Sequence, residues 1–302
     1  MHAAVLRYFI EVARRGSIRK AADVLHVASS AVNRQIINLE DKLGTPLFYR
    51  VPGGVRLTAA GELLLSHANS TLLDFERVRD EIEDLKGLKT GNIRIIAIDS
   101  LMVDVLPEAI AAFHDTYPDV TYAVVAAGPA DVTKELASGN ADIAISFVPE
   151  RQTVVRTVRE IATPMGVVMR PDHPLADRKT LSVPDCLDYP LFMQPDILPL
   201  SPVLEAELNA ARTRVRPKLI SNSMDLHKRL IKQGVGIAFF TPVAFLREVA
   251  NGELVHVPLA EPHLANLHMG IIIPSQRQLS PMTMAMVAHL EGFLMGIESQ
   301  LG

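Results

Sequence analysis

The sequence predicts an α/β multidomain fold with an N-terminal winged helix-turn-helix, a long linker helix and a two-lobed α/β body. Three observations support this prediction. Short amphipathic helices and a glycine-rich hairpin fill the first 58 residues, and apolar residues then recur at three- and four-residue spacing as far as residue 88. Strand and helix patterns alternate from residue 91 onward. We therefore predict domains at residues 1–58, 59–90 and 91–302.

Local signals place the helices of the first segment. The leading helix carries apolar residues at helical spacing, among them Leu6, Phe9 and Val12. Ser17 lies where an N-cap is expected, just before the apolar stripe Ile18, Ala21, Ala22 and Leu25. After a turn at His26-Val27, a helix is predicted to start at Ala28 or Ser29 and to end at Gly44, with the buried stripe Val32, Ile36, Leu39 and Leu43.

The polar face of this last helix is the predicted reader of a DNA major groove. Side chains off the buried stripe can hydrogen-bond base edges or phosphates, and the hairpin that follows would bring two arginines to the flanking backbone or minor groove. The candidate DNA-binding residues are Ser29, Ser30, Asn33, Arg34, Arg50 and Arg56.

The charge distribution agrees with a phosphate-binding head. Residues 1–58 contain nine Lys and Arg but four Asp and Glu, a net charge of +5, whereas the whole chain carries −4. The alternative is that these cations only solvate the surface. Their coincidence with a helix-turn-helix pattern favours double-stranded DNA as the partner.

At these residues the chain resembles the LysR-type transcriptional regulators. The motif matches have fixed spacing and extend from the first helix to the start of the long linker helix. They are Leu6, Phe9, Gly16, Ser17, Ala21, Ala22, Leu25, Gln35, Ile36, Leu39, Glu40, Leu43, Gly44, Leu47, Phe48, Arg50, Leu57, Thr58 and Gly61. Two positions depart from the family pattern, because Ser29 replaces a usual Gln and Asn33 replaces a usual Ser. We expect Asn33, whose amide can pair with adenine, to take over the reading of that base.

The resemblance implies a regulator that binds DNA through its head and dimerises through its linker helix. It further implies a body resembling a type 2 periplasmic-binding-protein fold, with a small-molecule effector bound between the lobes. The homo-oligomer is expected to be a dimer or a tetramer, and regulation to act through RNA polymerase.

The segment between Thr58 and Lys89 reads as one helix of about 30 residues, roughly 45 Å long. Its apolar positions follow a spacing close to the 3.5 residues of a coiled coil: Ala68, Leu72, Phe75, Val78, Ile82, Leu85 and Leu88. Such a helix either packs on its own domain or pairs with a second copy. We favour pairing, because nothing nearby in the sequence covers the seam.

The body alternates strands with helices, which predicts parallel strand pairing. Strands are predicted at residues 93–98, 120–126, 142–146, 165–169, 190–193, 218–221, 235–240 and 268–273. Helices are predicted at residues 101–115, 130–138, 202–212, 225–233, 242–250 and 282–297. From the family resemblance we expect one lobe at about 91–163 and 268–302, and the other at about 164–267.

Ligands of open α/β sheets bind beyond the carboxyl ends of the strands, near helix N-termini. The residues of the predicted effector site follow from this rule and from the family resemblance: Asp99, Ser100, Gly128, Ser146, Phe147, Asn222, Ser223 and Thr241. Any single one of these polar residues could instead be an ordinary N-cap. The Asp99 carboxylate would oppose an anionic effector.

Other functional classes are disfavoured. The sequence contains no Gly-x-Ser-x-Gly elbow, no metal-ligand spacing of histidines and no phosphate-binding glycine loop, so no catalytic residue, metal or cofactor is predicted. A transport-type solute-binding protein shares the two-lobed body, but the basic head and the lack of a signal sequence argue against it. Cys186 is the single cysteine, and no apolar run is long enough for a membrane helix. We therefore expect no membrane association and a cytoplasmic location.

Overall fold

The computed structural model describes residues 3–85, 90–149, 153–194 and 217–301. Two compact units result, the first built on residues 3–85 and the second on most of the residues from 90 onward. In chain order the first unit contains α1 (Ala3–Arg15), α2 (Ile18–Leu25), α3 (Ser29–Leu43), β1 (Phe48–Val51), β2 (Gly54–Leu57) and α4 (Ala59–Leu85). The predicted winged helix-turn-helix and long helix are thus confirmed.

The caps and turns of the first unit follow the sequence signals. The Ser17 hydroxyl accepts a hydrogen bond from the backbone N–H of Lys20 at 3.4 Å and so caps α2. His26 adopts a left-handed conformation with φ of 55° between α2 and α3, and Gly44 does the same with φ of 67° after α3. The tight turn that sets the angle between the two helices therefore depends on a strained histidine.

One apolar core joins the helices of this unit, with Leu6, Phe9, Val12, Ala21, Ala22, Val32, Ile36 and Leu39 all buried. The expectation for Leu43 was wrong, because its side chain is 48% exposed. Leu43 is the last residue of α3, next to the left-handed Gly44 that ends the helix, and its side chain is not among those that pack on this core.

The wing is a two-stranded antiparallel hairpin in which Phe48 pairs with Leu57 and Arg50 with Val55. Gly54 lets this hairpin approach the turn between α1 and α2. A Cβ atom on Gly54 would lie 2.0 Å from the carbonyl oxygen of Gly16, and the backbone N–H of Val55 donates to that same oxygen at 2.8 Å. The wing is thereby attached to the helical core at a defined position.

Helix α4 begins after Thr58, whose hydroxyl accepts from the N–H of Gly61 at 3.0 Å and donates to the carbonyl of Pro46. Its first half packs on the core through the buried Ala68. Further along, Phe75, Val78 and Ile82 are 61, 43 and 48% exposed. The predicted seam thus splits into a buried beginning and an exposed continuation, while Leu88 lies outside the described residues.

The second unit contains two five-stranded sheets, which define lobe 1 and lobe 2. The described elements of lobe 1 are β3 (Gly91–Ala97), a 3-10 turn (Asp99–Leu101), α5 (Val105–Thr116), β4 (Val120–Ala126), α6 (Pro129–Ala137), β5 (Ile143–Phe147), β6 (Val155–Ala162), β12 (His268–Pro274) and α11 (Pro281–Leu301). Those of lobe 2 are β7 (Gly166–Met169), α7 (Val183–Cys186), β8 (Leu191–Met193), β9 (Leu219–Ile220), α8 (Met224–Lys232), β10 (Ile237–Phe240), a 3-10 turn (Pro242–Ala244), α9 (Leu246–Ala250), β11 (Val255–Pro258) and α10 (Pro262–Ala265).

The predicted parallel pairing is confirmed for β3, β4 and β5, whereas other strands of the body pair antiparallel. In lobe 1 the strand order is β4-β3-β5-β12-β6, and β12 runs antiparallel to both of its neighbours. In lobe 2 the order is β11-β7-β10-β8-β9, and β7 is antiparallel to β10 and β11. Strands β7 and β12 each enter their sheet from the other lobe and not through a βαβ crossover within one sheet, so no such connection requires them to be parallel. The sequence analysis missed their antiparallel partners β11 and β6.

Two predicted helices are interrupted. The helix expected from Leu101 begins only at Val105, because residues 99–101 form a 3-10 turn. The helix expected at 242–250 is divided into a 3-10 turn and α9 at Phe245, whose fully buried ring packs into the lobe 2 core and whose φ of −135° is not helical. The helix predicted at 202–212 lies outside the described residues.

Candidate nucleic-acid interface and ligand cleft

The candidate DNA-binding residues of α3 form one outward face. Ser29 and Asn33 are four residues apart, as are Ser30 and Arg34, so each pair lies on the same side of the helix. Ser29, Ser30 and Arg34 are exposed and Asn33 is half-buried. Ala28 occupies the N-cap position without a side-chain cap, which leaves the positive end of the helix dipole uncapped from that position.

The wing arginine Arg50 reaches this face. Its guanidinium donates a hydrogen bond to the Oδ1 atom of Asn33 at 3.3 Å. Arg50 pairs with Val55 across the hairpin, whereas Arg56 pairs with Tyr49, and neighbouring positions of a strand point to opposite faces. The structure therefore brings Arg50 to the face of α3 but places Arg56 on the other face of the wing.

The acidic side chain of Glu40, on α3, has a structural role. The Oε1 atom of Glu40 accepts hydrogen bonds from the backbone N–H groups of Leu47 at 2.7 Å and Phe48 at 3.2 Å. This carboxylate ties the start of β1 to α3 and so fixes the wing relative to the helix. The sequence reading took Glu40 only as a motif position, since a partner seven residues away leaves no periodic signal.

The second candidate site lies at the carboxyl ends of the lobe 1 strands. The parallel strands β3, β4 and β5 are neighbours, and Ala97 pairs with both Ala126 and Ile145. The residues that end or follow these strands therefore share one edge of the sheet: Asp99, Ser100, Gly128, Ser146 and Phe147. The rule for open sheets places these five predicted residues together.

The lobe 2 candidates follow its parallel strands β9 and β10. Thr241 is 3% exposed, whereas Asn222 and Ser223 are exposed. The Ser223 hydroxyl accepts from the N–H of Leu226 at 3.4 Å, so Ser223 is the N-cap of α8. The lobe 1 turn at Asp99–Leu101 contacts the lobe 2 turn at Pro242–Ala244, which brings candidates of both lobes together.

Asp99 bridges the two lobes. Its Oδ2 atom accepts a hydrogen bond from the backbone N–H of Met224, the first residue of α8, at 2.7 Å. The positive end of the α8 dipole thus already faces a carboxylate supplied by lobe 1. The contact explains how a negative side chain is accommodated between the lobes, and it reduces the attraction of this helix end for an anion.

Two buried hydroxyls near these strand ends have no hydrogen-bond partner among the described residues. The hydroxyls of Ser146, on β5, and of Thr163, just after β6, are fully buried and make no hydrogen bond to the described residues. An unpaired buried hydroxyl costs about 1–3 kcal/mol, so a bound molecule or water is the expected partner. Thr163 was not among the predicted residues, because the sequence analysis assigned its segment only to the boundary between the two lobes.

His227 adds a neutral ring to this region. Its Nε2 atom lies 2.8 Å from the carbonyl oxygen of Ser221, and its Nδ1 atom has no partner among the described residues. Burial lowers the pKa of this imidazole below its usual value, although the Ser221 carbonyl and the Asp99 carboxylate oppose the shift. The ring is therefore neutral at pH 7 and offers Nδ1 as an acceptor.

The described residues contain no group of three or more His, Cys, Asp or Glu side chains arranged to hold a metal ion. Across residues 3–85, 90–149, 153–194 and 217–301, none of the helices combines the length and apolar character that a bilayer crossing requires.

A winged helix-turn-helix with a polar outward face on α3, followed by a two-lobed α/β domain, is typical of a DNA-binding regulator with a ligand-sensing body. Comparison with known protein families identifies the family of this regulator. Residues 4–62 match the bacterial regulatory helix-turn-helix of the lysR family, and residues 86–294 match the LysR substrate binding domain. The chain belongs to the LysR family, whose members are DNA-binding transcriptional regulators rather than enzymes.

Individual relatives span nearly the whole chain. A probable RuBisCO transcriptional regulator of Synechocystis sp. is 28% identical, over 90% of this chain and 80% of its own length. The HTH-type transcriptional regulator YwbI of Bacillus subtilis is 27% identical, over 96% of this chain and 95% of its own.

Solved structures share the fold. A full-length OxyR variant from Pseudomonas aeruginosa aligns with a TM-score of 0.69 at 20% identity, covering 97% of this chain and 94% of its own. Full-length CbnR complexed with its target DNA aligns with a TM-score of 0.60 at 21% identity, covering 97% of this chain and 100% of its own.

Proposed function

We propose that this regulator reads its DNA site through Ser29, Ser30, Asn33 and Arg34 in the major groove, while Arg50 and Arg56 contact the flanking backbone. The observation that supports this assignment is the single outward face of α3, with Arg50 hydrogen-bonded to Asn33. Two copies joined along α4 would present two such faces to one duplex, separated by about one helical turn or a multiple of it.

A gel-shift titration with the DNA upstream of the gene and with random duplex tests the assignment. Asn33→Ala is expected to cost about 1–3 kcal/mol on the specific site and little on random DNA, because a base contact is lost and the phosphate contacts remain. Asn38→Ala is the matched control, since it removes the same side chain about 140° further round α3. Equal losses on both DNAs would assign Asn33 to a structural or phosphate-binding role.

We further propose that a small, partly polar effector binds between the lobes, where it contacts Asp99, Ser100 and Ser223 and satisfies the Ser146 hydroxyl. Gly128, Phe147, Asn222 and Thr241 complete the proposed site at the same strand ends. The convergence of these positions across two lobes and the unpaired buried hydroxyl support it. Effector binding would change the lobe arrangement and, through it, the spacing of the heads and the bend of the DNA. The altered DNA complex would then change transcription through RNA polymerase, in the cytoplasm that contains the bacterial chromosome.

A thermal-shift screen of metabolites tests the effector site. A ligand that stabilises the wild type is expected to stabilise Asp99→Ala and Ser146→Ala less, because each variant removes one polar contact. Ser299→Ala, at the end of α11, is the control with an unchanged shift. A ligand that shifts all of these variants equally would place its site elsewhere.

A further inference from the structure

Among the described residues, polar contacts join the two lobes at and just before the start of α5. Asp99 accepts from the Met224 N–H, and Asp104 pairs with Lys228. Arg247 pairs with Glu108 and also contacts Asp104. The lobe 1 carboxylates Asp104 and Glu108 are four residues apart and so share one face of α5. On lobe 2, Met224 and Lys228 are likewise one turn apart on α8. The lobe 1 carboxylates at and before the start of α5 thus contact two lobe 2 helices, α8 and α9.

The central contact is buried. The Nζ atom of Lys228 lies 2.6 Å from Oδ2 of Asp104 and 3.0 Å from Oε2 of Glu248. The side chains of Lys228, Asp104 and Glu248 are only 7, 13 and 13% exposed. A charge pair at this depth is weakly screened by salt, and losing one partner costs far more than losing a surface pair.

The two partners of Lys228 differ in one decisive respect. Glu248 lies on α9, in the same lobe as Lys228, whereas Asp104 lies at the start of α5 in the other lobe. When the lobes separate, Lys228 keeps Glu248 and gives up Asp104. Conversely, the cations that Asp104 contacts among the described residues, Lys228 and Arg247, both belong to lobe 2. The Asp104–Lys228 contact therefore forms only when the lobes are closed.

Apolar packing accompanies the same movement. Val103, immediately before Asp104, packs against the lobe 2 core around Phe245, and the Lys228 ammonium lies 5.7 Å from the centre of the Phe245 ring. Closure thus buries the ion pair beside an apolar contact, which keeps water away from it and strengthens it.

We propose that Asp104 and Lys228 form a latch that holds the lobes closed before any effector binds, with Asp99 and the Arg247–Glu108 pair as flanking contacts. The latch sets the closed fraction of the free protein. An effector can change the closed fraction only by the difference between its binding energies to the closed and open states. The strength of the latch therefore sets the effector concentration at which the regulator responds. The consequence for regulation depends on the effector cleft proposed above, but the latch itself does not.

Lobe separation is measured on the full-length protein without DNA or ligand, so the outcome is independent of the DNA and effector assignments. Cys186 is the single cysteine, and it is fully buried with its thiol pKa raised to about 12 by that burial. Spin labels therefore attach selectively to cysteines introduced at exposed positions, Lys134→Cys in lobe 1 and Asp177→Cys in lobe 2. Pulsed electron paramagnetic resonance, on labelled protein mixed with an excess of unlabelled protein so that one labelled copy is present per oligomer, then gives the distribution of distances between the lobes of one subunit.

The expected result is one main distance for the otherwise wild-type protein and an additional, longer distance for Asp104→Asn, with the open-to-closed ratio raised at least about tenfold, equivalent to 1.4 kcal/mol. Glu248→Gln is the matched control, because it removes the other carboxylate that contacts the same ammonium but does not join the lobes. Its distribution is expected to match that of the wild type.

Arg247→Gln provides a second variant, since this side chain is 61% exposed and its replacement is compatible with folding. It is expected to raise the open fraction about twofold to threefold, as a screened surface pair contributes less. An unchanged distance distribution in Asp104→Asn, or in Arg247→Gln should the first variant fail to fold, would overturn the latch. Equal opening in Glu248→Gln and Asp104→Asn would overturn it as well.

Discussion

The Glu40 carboxylate joins the start of the wing to α3, and replacing Glu40 should loosen the wing without unfolding the helices. Its Oε1 atom accepts from two buried or nearly buried backbone N–H groups, those of Leu47 and Phe48. The 2.7 Å bond is charge-assisted and contributes roughly 2 kcal/mol, and the 3.2 Å bond roughly 1 kcal/mol. Glu40→Ala should therefore lower the local stability of the wing by about 3 kcal/mol.

Native-state hydrogen exchange of the full-length protein measures this local opening directly. A loss of about 3 kcal/mol corresponds to roughly a 150-fold faster exchange of the amides in the β1–β2 ladder, whereas the amides of α1 should change little. Glu40→Gln keeps an oxygen of the same geometry and loses only the charge, so its exchange should rise about tenfold. The DNA affinity of Glu40→Ala should fall in parallel, because Arg50 is carried by β1.

Two results would refute this reasoning. The wing amides of Glu40→Ala could keep their wild-type protection, which would mean that the hairpin is held by its apolar contacts and by the Gly16–Val55 hydrogen bond alone. Alternatively, Glu40→Gln and Glu40→Ala could exchange equally fast, which would show that the accepting oxygen has no effect of its own.

Two further predictions concern assembly and pH. Replacing the exposed α4 residues Phe75 and Ile82 together by Ser should raise the dissociation constant of the dimer at least about tenfold in analytical ultracentrifugation, and an unchanged constant would exclude this stretch from the interface. Burial lowers the pKa of His256 to about 4, so the unfolded chain takes up a proton below its ordinary pKa of 6.5 that the folded chain does not. Stability should thus fall by about 2 kcal/mol on going from pH 7.5 to 5 in urea unfolding. His256→Gln should lack this part of the dependence, and the same slope in both proteins would contradict the assignment.

The head could be predicted nearly residue by residue. Its helices are short and amphipathic, and Ser17, Gly44 and Thr58 mark their ends through interactions that span only a few residues. Leu43 was the exception. Helical periodicity predicts which residues share a face of α3, but it does not predict how far along the helix the packing partner extends.

The body was predictable in most of its elements and in the parallel pairing of β3, β4 and β5, but not in its antiparallel pairs. The strands that were predicted lie within a few residues of the observed ones, yet the reversals at β7 and β12 were not foreseen. A buried strand has the same apolar pattern in parallel and antiparallel sheets, so the pattern cannot distinguish the two. The edge of lobe 1 where Asp99, Gly128 and Ser146 meet was accessible to prediction, since it follows from the parallel strands alone.

By itself the sequence determined the family, the order of most elements and the polar outward face of α3, because each is encoded in residues close together along the chain. Only the tertiary structure decided which charges meet. Asp99 lies 125 residues from its partner Met224, and Lys228 lies 124 residues from Asp104. Such pairs cannot be predicted from local periodicity, because their geometry depends on how the two sheets pack against each other. The proposed contacts between the lobes are therefore a property of the tertiary structure.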